Sequence, residues 1–111
     1  MIDNLLVFQK TYDWLLWIKS ATERFSKVHK YSLGQQLQIE SINLLKKIII
    51  ANQQKDKFAA INECLTQKEI VKILVRLSKD YCLFNNRQYE FAAQRLAEID
   101  RMLLGWQRIF N

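Results

Sequence analysis

Proline is absent from this chain of 111 residues, and glycine occurs only twice, as Gly34 and Gly105. With so few helix breakers and an abundance of Leu, Ile, Lys, Gln and Ala, a few long helices are expected. There is one histidine, His29, and there are two cysteines, Cys64 and Cys82. That is too few, too far apart, for a disulfide scaffold or a zinc site. Each cysteine precedes a leucine (Leu65, Leu83), so both are expected to be buried free thiols in a reducing compartment. No apolar run approaches the roughly 20 residues of a membrane span. The opening Met-Ile-Asp-Asn-Leu-Leu carries no basic n-region, so a soluble, cytoplasmic protein without membrane association is expected.

Catalytic material is equally scarce. No Gly-rich loop cradles a phosphate, and no Cys/His cluster has ligand spacing. Glu23, Glu40, Glu63 and Glu69 lack the Glu-x-x-His partners of a di-metal bundle site. No catalytic residue, metal ligand or cofactor site is therefore assigned, and the expectation is a protein that is not an enzyme. One alternative is a ribonuclease of the HEPN bundle class, in which an arginine and a histidine converge on an RNA phosphate. Arg24-Phe-Ser-Lys-Val-His29 fits its Arg-x4-His spacing, although two fixed positions in six recur often by chance.

What the chain does have is apolar periodicity and positive charge. Half of its residues are apolar and a quarter charged, which suits a single globular domain over residues 1–111. The periodicity divides it into four helices. The first is capped by Asp3 or Asn4 and runs to about Arg24, with one stripe of Leu5, Phe8, Tyr12, Leu15 and Thr22. A second stripe beside it holds Trp14, Trp17, Ile18 and Ala21, more greasy surface than one bundle core needs. Trp14 and Trp17 are thus candidates for a subunit interface. A polar, basic connection with aromatics near both ends, Phe25 to Ser32, leads to helix two, capped by Ser32 and running from Leu33 to about Asn52. Its buried face is Leu37, Leu44, Ile48 and Ala51, and Gly34 in its first turn permits close backbone approach. Asp56 caps helix three, which reaches about Lys79 with a seam of Ile70, Ile73, Leu74 and Leu77 and with Val71 and Val75 adjacent. Asn85-Asn-Arg-Gln88 resembles a capping box opening helix four. Along helix four, Tyr89, Ala92, Leu96, Ile99, Leu103, Trp106 and Phe110 share one face. The expected architecture is all-α, an antiparallel up-down-up-down four-helix bundle.

Seventeen Lys and Arg face eleven Asp and Glu, a formal charge of +6 with a pI near 9.5. Such an excess on a small domain favours a polyanion partner. Lys27, His29 and Lys30 cluster in the first connection. Arg76 and Lys79 close helix three, and Arg87 opens helix four. In an up-down bundle the first and third connections lie at the same end, so these residues are expected to form one basic patch making phosphate contacts. Arg87, Arg101 and Arg108 lie opposite the apolar seam of helix four, with Arg95 to one side.

Several blocks, in order, resemble one family: Tyr12-Asp-Trp-Leu-Leu-Trp17, Phe25…His29-Lys-Tyr-Ser-Leu-Gly34-x-x-Leu-Gln38, Arg76-Leu-Ser-Lys-Asp80, Arg87-Gln-Tyr-Glu-Phe-Ala-Ala93 and Arg101-Met-Leu-Leu-Gly-Trp106. They are similar to Avd, the accessory variability determinant of diversity-generating retroelements, within a wider group of bacterial four-helix bundle proteins. The resemblance spans about Tyr12 to Trp106. It implies a basic homopentamer that binds RNA or DNA and partners the element's reverse transcriptase in mutagenic cDNA synthesis from template-repeat RNA. The basic positions it carries over are Lys30, Arg76, Arg87, Arg95 and Arg101. Ser26 stands where the family often has proline, Gln36 replaces a common basic residue, and Asp100 and Leu104 stand where glycines are usual. A bundle of the wider group with no retroelement role is the remaining alternative.

Overall fold

A computed structural model describes residues 5–111. Its helices are α1 (Leu6–Glu23), α2 (Lys27–His29), α3 (Gln35–Gln53), α4 (Lys57–Asp80) and α5 (Asn86–Arg108), and the described residues contain no strand. A wide π-turn, Lys30–Gly34, joins α2 to α3, so these three segments form one long helix and the molecule is a bundle of four. α3 packs on α1 and α4, and α5 packs on α4 and α1, which closes an antiparallel up-down-up-down ring. The extents are 43 × 21 × 21 Å. At about 1.5 Å per residue α4 alone covers most of the long axis.

The helix ends follow from local chemistry. Asp56 accepts a hydrogen bond from the Ala59 N–H at 3.1 Å and so caps α4. Asn85 and Gln88 form a reciprocal capping box at the start of α5. The proposed caps Asp3 and Asn4 lie outside the described residues. α1 begins after Leu5, which makes no side-chain cap.

α4 ends in a Schellman motif. The Leu83 N–H donates to the Ser78 carbonyl at 2.8 Å and the Cys82 N–H to Lys79 at 2.8 Å, with Cys82 at φ 63°. That left-handed position usually holds glycine, because a Cβ there costs roughly 1–2 kcal/mol. Cys82→Gly is therefore expected to stabilise the protein by up to about 1 kcal/mol, the gain being trimmed by glycine's greater unfolded-state entropy. A rise in the thermal midpoint checks it. The sequence expectation that both cysteines are buried is corrected here. Cys82 is exposed, whereas Cys64 is buried and its thiol pushed up to about 12 by desolvation.

The second long helix also starts earlier than expected. Ser32 is not its cap; the helix opens after Ser26, and Ser32 lies within the π-turn. Gly34 is buried there. A Cβ at that position would meet the His29 carbonyl oxygen and Phe25 Cδ2, both at 3.2 Å. The close approach expected of Gly34 is thus real, and it lets the turn press onto Phe25 and Thr22.

The core is built from Trp14 and Ile18 of α1, Leu37, Leu44 and Ile48 of α3, Ile61, Cys64, Val71 and Val75 of α4, and Ala92, Leu96, Ile99 and Leu103 of α5. In α4 the expected seam is out of phase. Val71 and Val75 point inward, while Ile70 and Ile73 are exposed. In α1 the tryptophan stripe supplies the buried Trp14, Ile18 and Ala21, whereas of the Tyr12 stripe only Thr22 is fully buried and Leu5 and Phe8 pack at the core's margin. Polar ties cross the interior: Trp14 Nε1 donates to Ser41 Oγ at 2.9 Å, and Gln67 Nε2 to the Glu40 carbonyl at 2.9 Å. Lys68 is buried and reaches Asp100 across to α5 at 2.7 Å and Glu69 at 2.6 Å. Burial works against the charge on that ammonium, but its hydrogen bonds to Asp100 and Glu69 prevail and raise its pKa above the usual lysine value.

Candidate nucleic-acid interface

The first and third connections meet at one end of the bundle. Phe25 and Phe84 pack edge-to-face at 5.3 Å between ring centres, and the His29 ring lies 5.7 Å from that of Tyr81. Those contacts bring two basic groups to the same end. Lys27, His29 and Lys30 sit on the first turns of the second long helix, not in a loop as their polar context suggests. Arg76 and Lys79 occupy the last turns of α4, and Arg87 the first turn of α5. Among the described residues none of Lys27, Lys30, Arg76, Lys79 or Arg87 forms an ion pair, because the bridges run Lys10–Glu98, Lys19–Glu23, Lys68–Glu69, Lys68–Asp100 and Arg95–Glu98. The carboxylates nearest in sequence are Glu23, Asp80 and Glu90, and none of them bridges these five cations. Glu23 is bridged by Lys19, whose hydrogen bond is the first cause of its lowered pKa, with the charge of Lys30 a smaller one.

Two of the cations lie against aromatic rings. Lys79 Nζ sits 4.5 Å from the centre of the Tyr89 ring, and Lys30 Nζ 5.7 Å from that of Tyr31. Tyr31, Tyr81 and Val28 are all exposed at this end. These neighbours escape a reading based on charge. Their signal in the sequence is the alternation of basic and aromatic residues in Lys27-Val-His-Lys-Tyr31 and Lys79-Asp-Tyr81.

The other basic candidates stand elsewhere. Arg101 lies fifteen residues beyond Asn86, about 22 Å up the shaft of α5. It is exposed, like Arg108. Arg95 is half-buried, 3.6 Å from Glu98 and 5.0 Å over the Phe91 ring, and its Nε is buried without a hydrogen-bond partner. Glu98 is also held by Lys10 at 2.9 Å, and that hydrogen bond is the main cause of its lowered pKa. Phe91, Arg95, Trp17, Lys10 and Glu98 together line a cleft between α1 and α5.

The two tryptophans part company. Trp17 remains half-buried at that cleft, stacked 5.1 Å from Phe91. Trp14 does not serve as an interface residue, which is a correction. It is 1% exposed, hydrogen-bonded to Ser41 and packed on Trp17 at 5.4 Å, so it has no surface to offer a second subunit. Apolar side chains that do reach the surface include Tyr12, Leu16 and Ile42, along a groove between α1 and α3, and Ile70 and Ile73 on α4.

The Arg24–His29 pair spans the end of α1 and the start of the second helix. Arg24 is exposed, and His29 packs on Tyr81. The described residues hold no group of three or more His, Cys, Asp or Glu arranged to bind a metal ion. None of the described helices is long and apolar enough to cross a membrane.

A four-helix bundle of basic composition is the class of protein that the fold and the sequence define. Within it, the chain belongs to the bAvd-like family, whose family model matches residues 5–110. It is an Avd-like protein of diversity-generating retroelements, with an accessory role in those elements. No curated protein and no solved structure matches the chain.

Proposed function

We propose that this protein is a non-catalytic, nucleic-acid-binding accessory of a diversity-generating retroelement. In this role it partners the reverse transcriptase in mutagenic cDNA synthesis from template-repeat RNA, in the cytoplasm and as a homopentamer. The observation that carries the proposal is the meeting of two basic connections at one end, with Lys27, Lys30, Arg76, Lys79 and Arg87 free of carboxylate partners among the described residues. Cations arranged in this way bind a phosphate backbone without reading bases, and the affinity falls with salt. Arg101 supplies a second contact region on α5, suited to the polymerase or to a longer stretch of template. The exposed apolar groove between α1 and α3 and the isoleucine pair on α4 supply two different surfaces for self-association, and Trp17 with Arg95 marks a third.

Co-purification with the element's own reverse transcriptase tests the partnership. The wild-type chain is expected to retain the polymerase and Arg87→Glu/Arg101→Glu to lose it, at unchanged helicity. Retention of the polymerase by the doubly reversed variant would remove the basic face from the contact. Light scattering is expected to give five chains per particle, and a monomer at micromolar concentration would defeat the pentamer.

A further inference from the structure

We propose that the end of the bundle carrying His29, Tyr31 and Tyr81 is a base-stacking site for single-stranded nucleic acid. This rests on the polyanion-binding role above and adds the chemical form of the ligand. Tyr31 is 65% exposed and Tyr81 53%, so both rings have faces open to a planar partner. Tyr81 stands on a firm base: it is the residue that ends α4, the Schellman motif follows it directly, and His29 packs against it at 5.7 Å. Between the two tyrosine-bearing helices lies an open depression lined by His29, Ser32, Leu33, Gln36, Leu77 and Tyr81.

One lysine lies against the Tyr31 ring, and further cations stand on the same two helices. Lys30 Nζ lies 5.7 Å from the Tyr31 ring centre, Lys27 precedes it on the same helix, and Arg76 and Lys79 flank Leu77 on α4. Aromatic faces set among cations are how proteins hold unpaired strands: the cations track the phosphates and the rings stack on bases. A duplex has its base faces already stacked on one another, so the rings add nothing for it.

The test is fluorescence anisotropy with a labelled single strand of about 20 nucleotides, as RNA and as DNA, and with the matching duplex, each over a range of salt. Tyr31→Ala/Tyr81→Ala is expected to weaken single-strand binding by about 5- to 150-fold per stacked base, for both sugars. The salt slope and the duplex affinity are expected to stay as in wild type, and Tyr31→Phe/Tyr81→Phe to bind like wild type. Equal losses on strand and duplex, a shallower salt slope, or no rescue by phenylalanine would overturn the stacking site. So would a change of oligomeric state in the alanine variant, since the rings would then be subunit contacts. Wild-type protein that binds salt-dependently but is indifferent to the tyrosines would defeat stacking alone. Wild-type protein that binds no nucleic acid would defeat the function proposed above.

Discussion

Trp14→Ala is expected to cost about 3–5 kcal/mol of folding stability, the range for truncating a large buried aromatic. The side chain is 1% exposed and lies between α1 and α3, touching Trp17 at 5.4 Å. Alanine would open a cavity there and also strip Ser41 of its hydrogen-bond donor, leaving a buried hydroxyl to find another partner. For a domain of this size, with a shift of about 4–8 °C per kcal/mol, the thermal midpoint should fall by more than 10 °C. Urea unfolding followed by circular dichroism measures it. Trp17→Ala, at a half-buried position, should cost clearly less. Equal costs for the two would mean that Trp17 is as deeply embedded as Trp14.

Lys27→Glu/Lys30→Glu is expected to weaken nucleic-acid binding on the order of 10- to 100-fold at about 0.1 M salt. Each neutralised phosphate contributes a slope of about −0.9 in log K against log salt for duplex DNA and about −0.7 for a single strand. Releasing two phosphates thus amounts to roughly 1.4–1.8 decades in affinity between about 0.1 M and 1 M salt, before any repulsion from the new carboxylates. Both side chains sit on the first turns of the second long helix, and neither has an ion-pair partner among the described residues, so the fold should survive the exchange. Lys46→Glu/Lys55→Glu, at exposed positions on α3 and in the second connection, away from either basic connection, is the matched control for net charge. A comparable loss in that variant would show that overall charge, not the end patch, governs binding.

How much of this is legible in the sequence differs from helix to helix. In α5 a single apolar period of 3.6 residues, a cap residue and its Gln partner agree with one another, and Ala92, Leu96, Ile99 and Leu103 are buried as the pattern implies. In α4 two apolar stripes of equal quality run side by side. Spacing alone does not say whether the isoleucines or the valines turn inward, and the valines do. Lys68 is invisible for another reason: a lysine is normally assigned to the surface, and the group that permits its burial, Asp100, is on a different helix. The common end of the two basic connections follows from topology alone, since connections one and three of any up-down bundle lie together. The rings at that end are marked only by the alternation of basic and aromatic residues around them, because an exposed tyrosine and a core tyrosine look the same in sequence.

The π-turn at Lys30–Gly34 also sets a frame for insertions and deletions. An α-helix turns by about 100° per residue, and a π-turn accommodates one extra residue in a helix that otherwise keeps its axis. Removing one residue within Lys30–Gly34 would therefore let the helix run through in ordinary α geometry with its two flanks still in phase, His29 still beside Tyr81 and the α3 face carrying Leu37, Leu44 and Ile48 unmoved. A deletion in the straight part of α3 has no such slack: it would rotate one side of the helix by about 100° against the other and set the basic end out of register with the core. The turn is therefore the place where this helix absorbs a change of length.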